Sequence, residues 1–340
     1  MRPHLIDIIG SCLEPNGNRN LGGRINAIAL RGPPKLGPSL DDMISSVGGN
    51  ESASGGRLPD FLIIGAMKAG TTSLYHYLGA HPEIFMPATK ELDFFTRELT
   101  WNRGWDWYRK QFHQAGSSFK AVGEASTSYT KFPRYQGVPE RISSYLPEVR
   151  LIYVVRNPLD RIRSHYQHNV AIGEERRPID EAVLNEPVYV DYSKYSMQVE
   201  RYLEHFDESA LLIITSENLR EDRKRTVKRV LRFVGADPDM PISLLGQEFY
   251  RTSERPAYGR MLTGGRRALK RMFPSSIEIW RGGFIPIRLK RKFGRVQESN
   301  EGPPIALSPD ARAAVIERLV EDVTRLASRL GGDFDGWGLI

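Results

Sequence analysis

The stretch FLIIGAMKAGTTSLYHYLGAHPEI, residues 61–84, sets an apolar run, a glycine-bounded loop and an amphipathic helix in a row. Asp60 followed by Phe61, Leu62, Ile63 and Ile64 has the composition of a buried parallel strand. Thr71 opens a helix whose Leu74, Tyr77 and Leu78 share one face, and Gly79 stops it with Pro82 just beyond. Gly65 and Gly70 have the spacing of the phosphate-binding loop G-x-x-x-x-G-K-[ST]. Thr71, however, stands where the lysine of that motif belongs, and the lysine falls inside the loop at Lys68.

Working outward, strands and helices alternate. Ala121–Gly123 reads as a short strand, VPERISSYL (138–146) as a helix and RLIYVV (150–155) as a strand. A helix follows from Pro158 to about Val170, then SMQVERYLEHF (196–206) as a helix and LLIIT (211–215) as a strand. RKRTVKRVLRFVG (223–235) is a helix closed by Gly235. LSPDARAAVIERLVEDVTRLASRLGG (307–332) reads as one long amphipathic helix, N-capped by Ser308 and stopped at Gly331. This alternation predicts an α/β fold with a central parallel sheet flanked by helices, its sites at the carboxyl ends of the strands.

The chain has 340 residues, 40% hydrophobic and 26% charged, which is ordinary for a globular protein with a substantial core. Residues 1–57, rich in Gly, Pro, Asn and Ser, read as a disordered leader, with a single globular domain over 58–340. No stretch reaches the roughly 18 apolar residues of a membrane-spanning helix, and the first residues are too weakly apolar for a secretory signal. One cysteine, Cys12, excludes an intrachain disulfide and a cysteine-rich metal site. These features predict a cytoplasmic protein. A net charge of +7 favours anionic partners.

The loop supplies the chemistry. Backbone N–H groups between Gly65 and Gly70 and the start of the following helix suit an anion, with Ala69 and Gly70 lining the turn and Thr71, Thr72 and Ser73 adding hydroxyls. Lys68 within the loop suits a bridging or leaving oxygen rather than a γ-phosphate. No strand ends in a magnesium-binding aspartate: RLIYVV runs into Arg156 and LLIIT into Ser216-Glu217. The expected ligand is a phosphate ester handled without metal. In RNPLDRIRSHY (156–166), Arg156 leaves a strand end and Ser164 lies two helical turns on, a second phosphate site. Taken alone, each stretch need do no more than shape a turn or form a surface ion pair.

Together, GAMKAGTTSL and R-N-P-x-x-R-x-x-S-x-Y resemble the two nucleotide motifs of sulfotransferases that use 3′-phosphoadenosine 5′-phosphosulfate (PAPS). KELDFFT (90–96) resembles the E-x-x-F-F segment of the heparan sulfate (glucosaminyl) sulfotransferases and their bacterial relatives. GWDWYRKQF, VGEASTSYT and the terminal L-S-P-x-x-R…DFDGW continue the similarity over about residues 59–340. The resemblance implies a P-loop-like three-layer fold. It implies that Lys68, Ala69, Gly70, Thr71, Thr72 and Ser73 bind the 5′-phosphosulfate, that Arg156 and Ser164 bind the 3′-phosphate, and that Glu91 is the base. The acceptor would be a small molecule, a carbohydrate or a lipid-linked molecule, not nucleic acid. Two features depart from that family: Ala125 replaces a lysine after Glu124, and Gly259-Arg260 only loosely matches a carboxy-terminal phosphate loop.

Other readings stay open. Glu91 also suits a solvated carboxylate before a buried Phe94-Phe95 pair, and Glu124 is a competing base or a structural partner of the loop. His76, His81, His113, His165 and His168 lack metal-ligand spacing, and Trp105, Trp107 and Tyr108 read as core rather than a sugar platform. Residues 260–295 form an insertion with eleven Lys/Arg against Glu278 alone, interleaved with Trp280, Phe284 and Ile285. That mixture suits peripheral contact with an anionic membrane at its inner face, a lip for an anionic acceptor, or a basic solvated insertion. Two rival functions remain: a degenerate P-loop nucleotide kinase needing magnesium, and a non-catalytic nucleotide- or membrane-binding protein.

Overall fold

In a computed structural model of the chain, residues 57–247, 249, 305–332 and 334–340 are described. The expected leader up to residue 56, the basic segment 260–295 and Gly259-Arg260 lie outside the described residues.

The apolar runs become the five strands of one parallel sheet. They are β1 (Phe61–Gly65), β2 (Ile84–Phe85), β3 (Ala121–Ala125), β4 (Arg150–Val155) and β5 (Leu211–Thr215). Their spatial order is β2-β3-β1-β4-β5, and every pairing is parallel. The predicted strands are all present, with β3 running two residues further than Gly123. β2, two residues long, carries too little pattern to be read from sequence.

Helices flank the sheet. They are α1 (Thr71–Gly79), α2 (Trp105–Lys110), α3 (Val138–Tyr145), α4 (Pro158–Ala171), α5 (Ile179–Asn185), α6 (Val188–Asp191), α7 (Tyr195–Leu203), α8 (Ser216–Glu221), α9 (Arg223–Val234), α10 (Pro309–Glu317) and α11 (Val320–Leu330). Every residue of β1 is buried, as is every residue of β4 after Arg150, so both read as unbroken apolar runs rather than alternating ones.

One expectation is corrected. Residues 307–332 form two helices, not one. At the break, the Leu319 N–H bonds the Ile316 carbonyl three residues back, and the Leu319 carbonyl then accepts from Val323 to start the next helix. No glycine or proline stands there; tertiary packing sets the turn. α10 packs on α5 while α11 packs on α7, and buried Leu319 is the pivot between them. Ser308 caps α10 as expected, its Oγ accepting from the Ala311 N–H. From α11 the buried Asp322 carboxylate accepts from the N–H groups of Ser196 (2.9 Å) and Met197 (2.8 Å), capping α7 from outside.

The topology fixes where a site can be. After β1 the chain crosses to β2 on one side, and after its neighbour β4 it goes to β5 on the other, which makes a crevice between their carboxyl ends. Three segments leave the sheet at that edge: the loop after Gly65, a 3-10 turn at Thr127–Thr130 after β3, and Arg156-Asn157 after β4.

Candidate active site

Lys68 adopts a left-handed backbone (φ 71°) inside the loop, and Gly70 (φ 100°) then turns the chain into α1. With glycine at the cap, no side chain binds the first-turn N–H groups of α1, as an anion-binding helix start requires. Gly65 is obligatory for space: a Cβ there would stand 1.9 Å from Thr130 Oγ1, the hydroxyl that donates to the Ile64 carbonyl. Ala69 and Thr71 are buried, and Thr72 is half-buried. Ser73 is committed elsewhere, its hydroxyl donating to the Phe249 carbonyl at 3.2 Å.

The second motif meets the first. Arg156 Nη1 donates to the Lys68 carbonyl at 3.2 Å, tying the residue after β4 to the middle of the loop. Arg156 is held in turn by Tyr195, whose hydroxyl donates to its carbonyl at 2.7 Å. Asn157 Oδ1 caps α4, accepting from the N–H groups of Leu159 and Asp160, so the asparagine–proline pair starts the helix. Ser164 lies buried on α4, on the same inward face as Arg161 and His165. Arg161 is fully buried, bonding Ser193 Oγ and the Tyr189 carbonyl, and its Nη1 has no hydrogen-bond partner.

The third motif approaches from β3. Glu91 and Asp93 both adopt left-handed backbones (φ 63° and 55°), which bend residues 90–96 back on the sheet edge. The Glu91 N–H bonds the Ala125 carbonyl at 2.9 Å. Its Oε2 accepts from the Thr127 N–H (2.7 Å) and the Thr127 hydroxyl (3.0 Å), while Lys90 pairs with Oε1. Asp93 is fastened the same way: its N–H donates to Ser126 Oγ (2.8 Å), and its Oδ1 accepts from Ser128 Oγ (2.6 Å). Phe94 and Phe95 are fully buried among Tyr108, Trp101 and Tyr145, as their pairing predicts.

Glu124, the other carboxylate, is surrounded by hydroxyl groups. It is buried, and its carboxylate accepts hydroxyl donors from Tyr108 (2.8 Å), Tyr129 (3.0 Å) and Ser126. Burial outweighs those donors and pushes its pKa up to about 7. Tyr108 belongs to the core; Trp105 and Trp107 pack against it, half-buried. The histidines separate. His81 bonds the Asp237 carbonyl and the Glu83 N–H. His165 is buried, stacked on Tyr192 at 5.7 Å, with no partner for Nδ1. Burial first, then the positive charges of Arg161, Lys131, His168 and Lys68, push its pKa down to about 2. Among the described residues no group of three His, Cys, Asp or Glu side chains is arranged to hold a metal. No helix there is long and apolar enough to cross a membrane.

Sequence reasoning missed Thr127 and Asp93. Their signal was the hydroxyl-rich run Ser126-Thr127-Ser128, which supplies the donors that fix two carboxylates.

This is an α/β transferase scaffold with an anion-binding loop, an arginine after the neighbouring strand and an oriented carboxylate at one sheet edge. The sulfotransferase domain matches residues 58–268, and the chain belongs to the sulfotransferase family. It is 32% identical over 203 residues to the human bifunctional heparan sulfate N-deacetylase/N-sulfotransferase 3, covering 54% of this chain and 23% of that one. The human N-deacetylase/N-sulfotransferase 2 is 30% identical over 207 residues, with 54% and 22% covered. The chain thus spans less than a quarter of the length of these relatives. Among solved structures, a sulfotransferase from Alicyclobacillus acidocaldarius shares 25% identity at a TM-score of 0.58, covering 83% of this chain and 99% of that one.

Proposed function

We propose that the protein transfers the sulfuryl group of PAPS to a hydroxyl or amine of a carbohydrate or glycolipid acceptor, with Glu91 as the base. The observation that carries this reading is the join between the two nucleotide motifs, Arg156 Nη1 on the Lys68 carbonyl. It brings the 5′ loop and the arginine suited to a 3′-phosphate to one place, which fits a nucleotide phosphorylated at both ends of its ribose. The residues present suit such a polyanion. The first turn of α1 is uncapped, and Arg161 adds a buried positive charge on α4 that no carboxylate pairs among the described residues.

The reaction asks three things of the chain. The loop N–H groups and Lys68 hold the phosphosulfate and stabilise charge on the leaving oxygen, a contribution of about 10²- to 10³-fold for one such donor. Arg156 and Ser164 hold the 3′-phosphate. Glu91 takes the acceptor proton as the new oxygen–sulfur (or nitrogen–sulfur) bond forms and the sulfur–phosphate oxygen bond breaks, releasing 3′-phosphoadenosine 5′-phosphate. The Thr127 donors aim the Glu91 carboxylate; Lys90 must release Oε1 or share it for the proton to land. A positioned base is worth about 10²- to 10⁴-fold. The carbohydrate acceptor rests on the heparan sulfate named for the relatives.

The test pairs binding with turnover. Labelled PAPS offered with a panel of oligosaccharides and glycolipids should give a sulfated product. In calorimetry 3′,5′-adenosine bisphosphate should bind far more tightly than Mg·ATP. The reverse order of affinity would favour a kinase and sink this reading.

A further inference from the structure

We propose that Glu124 is a positioning residue of the transfer: through the hydroxyls of Ser126, Tyr108 and Tyr129, its buried carboxylate fixes the turn that presents Glu91 to the acceptor. The inference rests on the sulfuryl-transfer reading above and deepens it at that same site.

Each partner of Glu124 grips one residue of the Glu91 turn. Ser126 Oγ donates to Glu124 Oε1 and accepts from the Asp93 N–H at 2.8 Å. The Tyr108 hydroxyl donates to Oε2 at 2.8 Å, and its ring stacks on Phe94 with centres 4.6 Å apart. The Tyr129 hydroxyl donates to Oε1 at 3.0 Å and accepts from the Phe95 N–H at 3.5 Å. Residues 93, 94 and 95 are thus held in succession by groups that share one carboxylate. At the head of the turn the Glu91 N–H bonds the carbonyl of Ala125, the next residue of β3, at 2.9 Å. The left-handed backbones of Glu91 and Asp93 persist only where such surroundings impose them.

The donor count closes for the ionised carboxylate. That form only accepts, so it takes all three hydroxyl protons and leaves the Ser126 and Tyr129 oxygens free to accept from Asp93 and Phe95. A proton on either Glu124 oxygen meets a hydroxyl that is itself donating there. That hydroxyl must turn its hydrogen elsewhere in a buried site, and its grip on the turn loosens. The groups facing Glu124 are Tyr108 from α2, Ser126 and Tyr129 from the strand end and the 3-10 turn, Tyr202 from α7 and Asp93 from the turn itself. Burial above all, with the Asp93 charge adding to it, raises the carboxyl to about 7 against the pull of the hydroxyls. The grip is therefore complete above about pH 7 and weakens below it.

The link can be read without turnover. In protein carrying isotope-labelled glutamate and aspartate, the Glu124 carboxyl and the Asp93 amide should titrate together by NMR with a midpoint near pH 7. In Glu124→Gln the Asp93 movement should vanish. Turnover is read as sulfate transfer from labelled PAPS to the best acceptor of the oligosaccharide and glycolipid panel. Glu124→Gln should lower kcat about 10- to 10²-fold and lose the acid limb near pH 7. Its affinity for 3′,5′-adenosine bisphosphate should match that of the parent, which verifies the fold. Ser126→Ala keeps the carboxylate but cuts its link to Asp93, so it should slow transfer while Glu124 still titrates. An Asp93 amide that ignores the titration of Glu124, or an acid limb unchanged in Glu124→Gln, overturns the proposal. Glu91→Gln run in parallel separates the two readings. Normal turnover there sinks the base assignment, whereas the shared titration of Glu124 and Asp93 stands or falls by itself.

Discussion

Arg156 reaches across from the end of β4 to the carbonyl of Lys68, 3.2 Å away, so the two motifs proposed to hold the nucleotide are joined at a backbone atom. A change of the Arg156 side chain is therefore felt at both. Arg156→Ala removes a phosphate ligand and also frees the loop that presents Lys68. Lys68→Ala leaves the carbonyl, and with it the join, in place.

The first prediction follows from that asymmetry. Lys68→Ala should lower kcat by at least about 10²-fold with little change in affinity for 3′,5′-adenosine bisphosphate, because the lost ammonium acts on the leaving oxygen. Arg156→Ala should weaken bisphosphate binding and kcat together. Calorimetry and steady-state kinetics on the two variants check the contrast; equal profiles would contradict it.

Glu91 and Thr127 give a graded series. Glu91→Gln keeps the shape and most contacts but cannot accept the proton, so kcat should fall about 10²- to 10⁴-fold with nucleotide affinity unchanged. Thr127→Val removes the hydroxyl donor and keeps the backbone one, so the carboxylate loses one of two anchors and kcat should fall much less. A Thr127→Val variant as slow as Glu91→Gln would show that the hydroxyl, not the carboxylate, is the critical group.

Stability against pH carries opposing signals. Glu124 is neutral in the fold up to about pH 7 but ionises from 4.5 when unfolded, so the folded state binds the extra proton. Its contribution is complete below pH 4.5 and declines as pH rises to 7, by about 1.4 kcal/mol per pH unit. His165 is neutral in the fold down to about pH 2 but protonates below 6.5 when unfolded. Its contribution is complete above pH 6.5 and declines as pH falls, with a similar slope. Between 4.5 and 6.5 the two cancel. Denaturation across that window should therefore show Glu124→Gln gaining stability relative to the parent as pH rises, and His165→Phe losing it. Parallel curves for the parent and both variants would refute the assignment.

Gly123 tests the sheet beneath the site. A Cβ there would lie 2.1 Å from the Phe61 ring and 2.7 Å from Met86 Sδ. Gly123→Ala should destabilise by about 1–3 kcal/mol or more as an overpacked core, and the added change Phe61→Leu should restore part of that loss. Additive costs in the double variant, measured by urea denaturation, would show that the clash is relieved elsewhere.

The α/β alternation and the four longer strands were legible because buried parallel strands leave unbroken apolar runs: FLII, RLIYVV and LLIIT need no context. The loop and the Arg156 motif could be picked out because glycine spacing and an arginine at a strand end are local signals. The break at Leu319 was not. It comes from α10 and α11 packing on different helices, a long-range constraint that leaves the helical period intact. Thr127 was equally hidden. Its importance arises from Glu91, brought over from a loop some 36 residues away, and sequence order does not show that approach. The three hydroxyl partners of Glu124 were also out of view, since sequence order does not show which hydroxyls surround it.

Lys68, Glu91 and Asp93 are three of the four non-glycine residues that hold left-handed backbones among the described residues. An L-residue pays roughly 1–2 kcal/mol for that conformation, and glycine does not. Lys68→Gly should thus melt later than Lys68→Ala although both are inactive. A library of variants selected for heat resistance alone would accumulate glycine at these three positions, discarding the transfer centre as it gained robustness. Thermal tolerance and turnover are here drawn from the same backbone, so they have to be selected together.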